Sequence, residues 1–113
     1  MANWSLIYPD KCRAELSPAY DLVSTIPYID GDATAALNYS RTKKMAEFSA
    51  DEPRHLAATA LLPEKLVIDA ATETVRRFRE VWDAEKRNLP MAAKVTKMID
   101  AHAPTIPVYG ELA

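Results

Sequence analysis

One run limits most of what this chain can fold into. Between Pro63 and Pro90, the positions Val67, Ala71, Thr74, Val75, Phe78, Val81 and Trp82 recur every three or four residues, while Arg76, Arg77, Glu80 and Asp83 fall on other faces. That spacing predicts a helix from Pro63 to Arg87, about 25 residues and roughly 37 Å long at about 1.5 Å per residue. Pro63 suits its first turn, where a missing N–H costs nothing, and Asn88-Leu89-Pro90 stops it. Burying Phe78 and Trp82 is expected to contribute about 1.5–3 kcal/mol each. A chain of 113 residues built round such a helix holds one small domain rather than two.

Shorter helices flank the long one. Ser49-Ala50-Asp51-Glu52 fits a capping box, in which the Ser49 hydroxyl and the Glu52 carboxylate satisfy exposed amides, and it predicts a helix to about Leu61. Met91, Val95, Met98 and His102 mark a third helix that ends before Pro104, with an extended tail from Pro104 to Ala113. Before Ser49 the character changes. Trp4, Leu6 and Tyr8 share one face of a strand, Pro9-Asp10-Lys11-Cys12 is a turn, and Arg13 to Leu16 returns as the second strand of a β-hairpin. Residues 19–29 read as a turn or short helix and then an extended loop; residues 33–48 read as either a strand or an irregular connection. The expected fold is therefore mainly α: a single domain over 1–113, with a hairpin and loop segment at 1–48 and a helical segment, a three-helix C-terminal bundle, at 49–113.

Composition removes several classes of chemistry. The chain has only two glycines, Gly31 and Gly110, so a Gly-rich phosphate loop of the GxGxxG or GxxxxGK type is impossible. With 14 Lys and Arg against 16 Asp and Glu, the net charge is −2, which disfavours direct nucleic-acid binding. The single Cys12 forms no internal disulfide, and with His55 and His102 apart in sequence no zinc-type cluster is visible. No signal-like leader and no membrane-length apolar run is present, so a cytoplasmic setting without membrane partners is expected.

Leu16-Ser17-Pro18-Ala19-Tyr20-Asp21-Leu22-Val23-Ser24-Thr25 places one carboxylate, Asp21, in apolar surroundings just after the hairpin. Such a group must be hydrogen-bonded, paired or bound to a cation, and on composition alone a turn cap is the ordinary explanation. Together with Asn3-Trp4-Ser5-Leu6-Ile7, this run resembles the C-terminal part of HipA-type serine/threonine kinases, the toxin components of bacterial HipA/HipB toxin–antitoxin systems. The helical remainder, with His55-Leu56-Ala57, Leu62-Pro63 and Val75 to Trp82, is also similar to the distal C-lobe of such kinases.

The resemblance implies roles. Asn3 matches the asparagine that closes the catalytic loop, and Asp21 matches the later metal-binding aspartate, so Asn3 and Asp21 are the candidate Mg²⁺ ligands, with ATP as the implied nucleotide. A hairpin between them returns both oxygen donors to one end, and Mg²⁺ takes a few hard oxygen ligands plus waters and phosphates. The matched run begins after the position of the family's catalytic Asp, no lysine is assigned to phosphate pairing, and no catalytic residue is assigned here. The chain alone is therefore expected to transfer no phosphate. The expected partner is the remainder of a HipA-like kinase or a HipB-like antitoxin. The competing function is a stand-alone, non-catalytic module that binds a cognate kinase or antitoxin.

Other residues carry weaker signals. His55 beside Arg54 reads as a surface stack, and His102 near Asp100 reads as an imidazole at a helix C-terminus, where positive charge suits the dipole. Arg76, Arg77 and Arg79 read as a solvated face interleaved with Glu73 and Glu80, and Cys12 as an exposed thiol with nothing nearby to activate it. A partial lobe is expected to leave apolar faces uncovered and to self-associate.

Overall fold

The computed structural model describes residues 5–22, 25–29, 34–35, 38 and 40–113. Strand β1 (Leu6–Ile7) pairs antiparallel with β2 (Glu15–Leu16), with Leu6 opposite Leu16 and Ile7 opposite Glu15. The turn between them is held by Asp10, whose Oδ1 accepts the amides of Cys12 at 2.9 Å and Arg13 at 2.7 Å, while Lys11 takes φ 64°. The Asp10 carboxyl is accordingly held below its ordinary value by the Arg13 and Cys12 amides. At the open end, the Ser17 amide donates to the Ser5 carbonyl at 2.8 Å and the Ser5 hydroxyl meets the Ser17 hydroxyl at 3.1 Å.

A turn at Ile26–Tyr28 and an antiparallel bridge between Thr34 and Lys44 lead to a 3-10 turn at Met45–Glu47. Among its described residues, the stretch 33–48 is thus an irregular connection with one bridge and a 3-10 turn and not a strand. Four α-helices follow: α1 (Asp51–Thr59), α2 (Glu64–Glu85), α3 (Ala93–His102) and, after a 3-10 turn at Ala103–Thr105, α4 (Pro107–Glu111).

Three details depart from the sequence expectation. The tail is helical rather than extended. Pro107 opens α4, where its lost N–H is harmless, and the Val108 amide reaches the Phe48 carbonyl at 2.9 Å, so the turn is fixed by tertiary contacts. Pro63 sits at the N-cap of α2 rather than inside its first turn, with its carbonyl accepting from Val67 at 3.4 Å. The capping box does not close on itself either. The Ser49 hydroxyl accepts from the Asp51 amide at 3.3 Å, but Glu52 turns away, the Ser49 amide bonds the Glu47 carbonyl at 3.0 Å, and the Ala50 amide is satisfied at 2.6 Å by Glu111.

The end of α1 shows how a sharp stop is made without glycine. Leu62 N–H bonds the Ala57 carbonyl at 2.9 Å and Leu61 N–H bonds the Ala58 carbonyl at 3.4 Å, the paired closure of a Schellman motif. Its left-handed residue is Leu61, at φ 55° and almost fully exposed. A β-carbon is unfavourable there, so Leu61→Gly is expected to raise stability by about 0.5–1 kcal/mol. Thermal melts of the two proteins measure this directly.

Packing is thin. Ala50, Ala57, Val95 and Val108, with Pro27 and Pro53, are the buried apolar residues among those described, and no residue of α2 is buried. Phe78, expected to be core, is 39% exposed; it stacks on Trp82 with ring centroids 6.0 Å apart and meets the Tyr109 edge at 6.1 Å. The chain exposes 8450 Å², where a compact 12.6 kDa protein exposes about 6,200 Å². Its radius of gyration is 15.9 Å against about 13 Å for a compact chain of this length.

Candidate functional site

Asp21 lies on the segment that leaves β2, four residues beyond the Ser5–Ser17 closure of the hairpin. It is exposed and holds φ 55°. Aspartate tolerates this left-handed conformation better than most residues, and non-glycine residues in it concentrate at ligand-holding positions. Asn3, its proposed companion, lies outside the described residues, as does Trp4 of the predicted strand face. Because Ser5 and Ser17 are bonded to each other, the chain enters and leaves the hairpin at one end, the end that carries Asp21.

The donor chemistry there suits Mg²⁺, a hard ion that accepts one or two protein oxygens and completes its shell with water and phosphate. Among the described residues there is no group of three or more His, Cys, Asp or Glu side chains that could hold a metal. A metal at Asp21 would therefore depend on other oxygens for the rest of its shell.

The other sequence candidates are structural. Asp100 does not pair with His102; its Oδ1 accepts from Trp82 Nε1 at 2.7 Å and Lys86 Nζ at 3.0 Å, which ties α2 to α3. The Trp82 bond, then the Lys86 bond, holds the Asp100 carboxyl below its ordinary value, and Asp100 in turn raises Lys86. His102 Nε2 instead faces Met45 Sδ at 3.1 Å, and His55 Nδ1 meets the Ser40 hydroxyl. Cys12 is an exposed free thiol.

The arginine cluster divides. Arg76 bridges Glu73 at 2.8 Å and Glu80 at 2.6 Å, and Arg77 reaches Glu73 at 2.5 Å, as expected of a solvated face worth little to stability. Arg79 is different. Its guanidinium carbon stands 4.1 Å from the Tyr109 ring centre, it donates to the Tyr109 carbonyl, and its Nε is buried without a partner. No spacing rule separates Arg79 from its neighbours; only the fold of the tail does.

Glu52 and Arg41 form a junction that sequence reading missed. Glu52, 5% exposed in the first turn of α1, accepts the Arg41 amide at 3.0 Å and the Arg41 guanidinium at 3.1 and 2.6 Å. These bonds, the side-chain one first, hold the Glu52 carboxyl below its ordinary 4.5, and Glu52 raises Arg41. A carboxyl lowered by folding stabilises the native state above its unfolded value and loses that contribution as pH falls through its folded value. Glu73 and Asp100 act in the same sense. Melting temperature is therefore expected to be flat down to about pH 5 and to fall below pH 4.5, with Glu52→Gln lowering it at neutral pH and flattening the acid limb. Melts across the pH range, followed by circular dichroism, check both statements.

A groove of about 490 Å³ runs between α2, α3 and the C-terminal turns, lined by Met45, Val75, Phe78, Ile99, Ile106 and Val108 among others. Thr25 and Ile26, just beyond Asp21 in sequence, also line it, and its walls are mainly apolar. Among the described residues, no helix is long and apolar enough to cross a membrane.

No protein-family profile matches the chain, and no solved structure matches it. The chain is 69% identical over 113 residues to the protein named "Putative kinase Y4dM" of Sinorhizobium fredii, a match covering 100% of this chain and 28% of that protein. The chain spans little more than a quarter of the length of the curated relative it matches. It is therefore homologous along its whole length to one segment of a much longer protein.

Proposed function

We propose that this chain is the distal part of the C-lobe of a HipA-type serine/threonine kinase, the toxin of a cytoplasmic toxin–antitoxin pair. The observation that carries the reading is the 69% identity, without a gap in coverage of this chain, to a protein named as a kinase. The HipA-type assignment rests on the resemblance of the run from Pro18 to Thr25. In this reading Asn3 and Asp21 supply oxygen donors for Mg²⁺, which when bound neutralises charge on the ATP phosphates. Asp21 supplies a charged oxygen at the open end of a hairpin whose turn is locked by Asp10.

The chain contributes a metal edge and a helical scaffold, and the phosphate-holding and base-supplying groups come from the rest of the polypeptide. Alone, it transfers no phosphate. Transfer is assayed with labelled ATP and Mg²⁺, using this chain alone and a polypeptide joining it to the rest of the kinase. The expected result is transfer by the joined polypeptide only. Transfer by the 113-residue chain alone, or none by the joined polypeptide, overturns the reading.

The open apolar groove favours a second reading, a non-catalytic module that binds a cognate kinase or a HipB-like antitoxin. It requires tight binding without any Asp21-dependent transfer.

A further inference from the structure

Few polar side chains line the groove between α2, α3 and the C-terminal turns, and two of them are already engaged. The Thr74 hydroxyl donates to the Ala70 carbonyl at 2.7 Å, and His102 Nε2 lies against Met45 Sδ at 3.1 Å. Apart from Thr25 and Tyr109, whose hydroxyls can hydrogen-bond, the remaining lining, including Val75, Phe78, Ile99 and Ile106, offers no hydrogen bond from its side chains. Phosphate or sugar would lose most of its water there and gain few hydrogen bonds in return, so the site favours apolar surface.

Area narrows the occupant further. The whole chain exposes about 2,200 Å² more than a compact chain of its mass, an area of the size that obligate interfaces bury, which points to a permanent polypeptide partner. A second copy fits poorly. Across a two-fold axis the same patch must face itself, and two concave grooves cannot fill one another. Most of the matched relative, by contrast, lies outside the 28% that this chain covers, which leaves ample polypeptide to supply a convex filler.

We propose that this groove is the seat of an amphipathic helix from the rest of the kinase polypeptide, which inserts a row of uncharged apolar side chains between Val75, Phe78, Ile99 and Ile106. The proposal rests on the kinase reading for the identity of that polypeptide. The recognition chemistry is helix-in-groove packing, with anchors spaced three and four residues apart.

The test co-expresses this chain with the remaining part of the kinase polypeptide and measures their dissociation constant by sedimentation. Phe78→Gln, at a half-exposed position, and Val75→Asp are each expected to weaken the complex on the order of tenfold to thirtyfold. Val81→Asp, on the same helix but outside the groove lining, is expected to leave it unchanged. Helical circular dichroism of each variant identifies any that fails to fold, and Phe78→Gln decides the matter if Val75→Asp does. Wild-type affinity for Phe78→Gln overturns the proposal, as does equal loss with Val81→Asp. So does a homodimer closed through Phe78, or filling of the groove by a small apolar molecule with no binding of the remaining polypeptide. Phosphoryl transfer assayed on the same preparations separates the two ideas. A groove-dependent complex without transfer sinks the kinase reading alone, and transfer with groove-independent binding sinks the docking alone.

Discussion

Asp21→Ala, placed in the polypeptide that joins this chain to the rest of the kinase, is expected to lower phosphoryl transfer about a thousandfold. A metal on the transferring phosphates contributes several kcal/mol of charge stabilisation, and about 4 kcal/mol corresponds to that factor. The backbone allows a cleaner test than alanine alone. Asp21 holds φ 55°, so alanine both removes the carboxylate and strains the turn. Asp21→Gly removes the carboxylate and relaxes the turn. If the carboxylate carries the effect, glycine is as inactive as alanine; recovery of transfer with glycine shows that Asp21 shapes the loop and does not hold the metal. Asp21→Asn keeps an oxygen and the conformation but loses the charge, and is expected to fall between. By the reasoning applied to Leu61, glycine is expected to raise the melting temperature by a few degrees, alanine to lower it and asparagine to leave it nearly unchanged, so initial-rate assays are paired with melts.

Ala57→Leu is expected to destabilise the chain by about 1–3 kcal/mol, or roughly 4–12 °C in melting temperature. Ala57 is 1% exposed, the most enclosed of the buried apolar residues, and α1 packs on α2 over this stretch. Its carbonyl also accepts the Leu62 amide that closes the helix, so a larger side chain has no free direction in which to move the backbone. The same substitution at Leu61-neighbouring Ala60, which is exposed, is expected to be nearly neutral. Equal melting temperatures for wild type and Ala57→Leu would show that the α1–α2 contact is not formed.

The hairpin and the first three helices were legible because each is a local matter. Pro9-Asp10 sets the turn, and the spacing from Val67 to Trp82 sets α2. What escaped was settled at a distance. Pro104 and Pro107 argue against a continued helix, yet the segment bends into short helical turns because Val108 and Tyr109 find Phe48, Phe78 and Arg79. Glu52 has the correct spacing for a capping box and is taken by Arg41, whose two bonding groups outcompete one backbone amide. Periodicity also identified the apolar face of α2 without saying what covers it. Among the described residues that face is only partly covered, so Phe78 reads as core by spacing and is half open in the fold. The proposed metal edge rests on resemblance alone, since one aspartate in an apolar run is also what a turn cap looks like.

The bond from the Ala50 amide to Glu111 sets an order of events during synthesis. The amide at the start of α1 has its partner 61 residues later in the chain. At about 5–20 residues per second, the ribosome makes everything from α1 to α4 before that bond can close. Of these four helices, the one synthesised first thus gains this entrance bond only after the others are made, and a nascent chain stalled before Glu111 leaves the Ala50 amide without that partner.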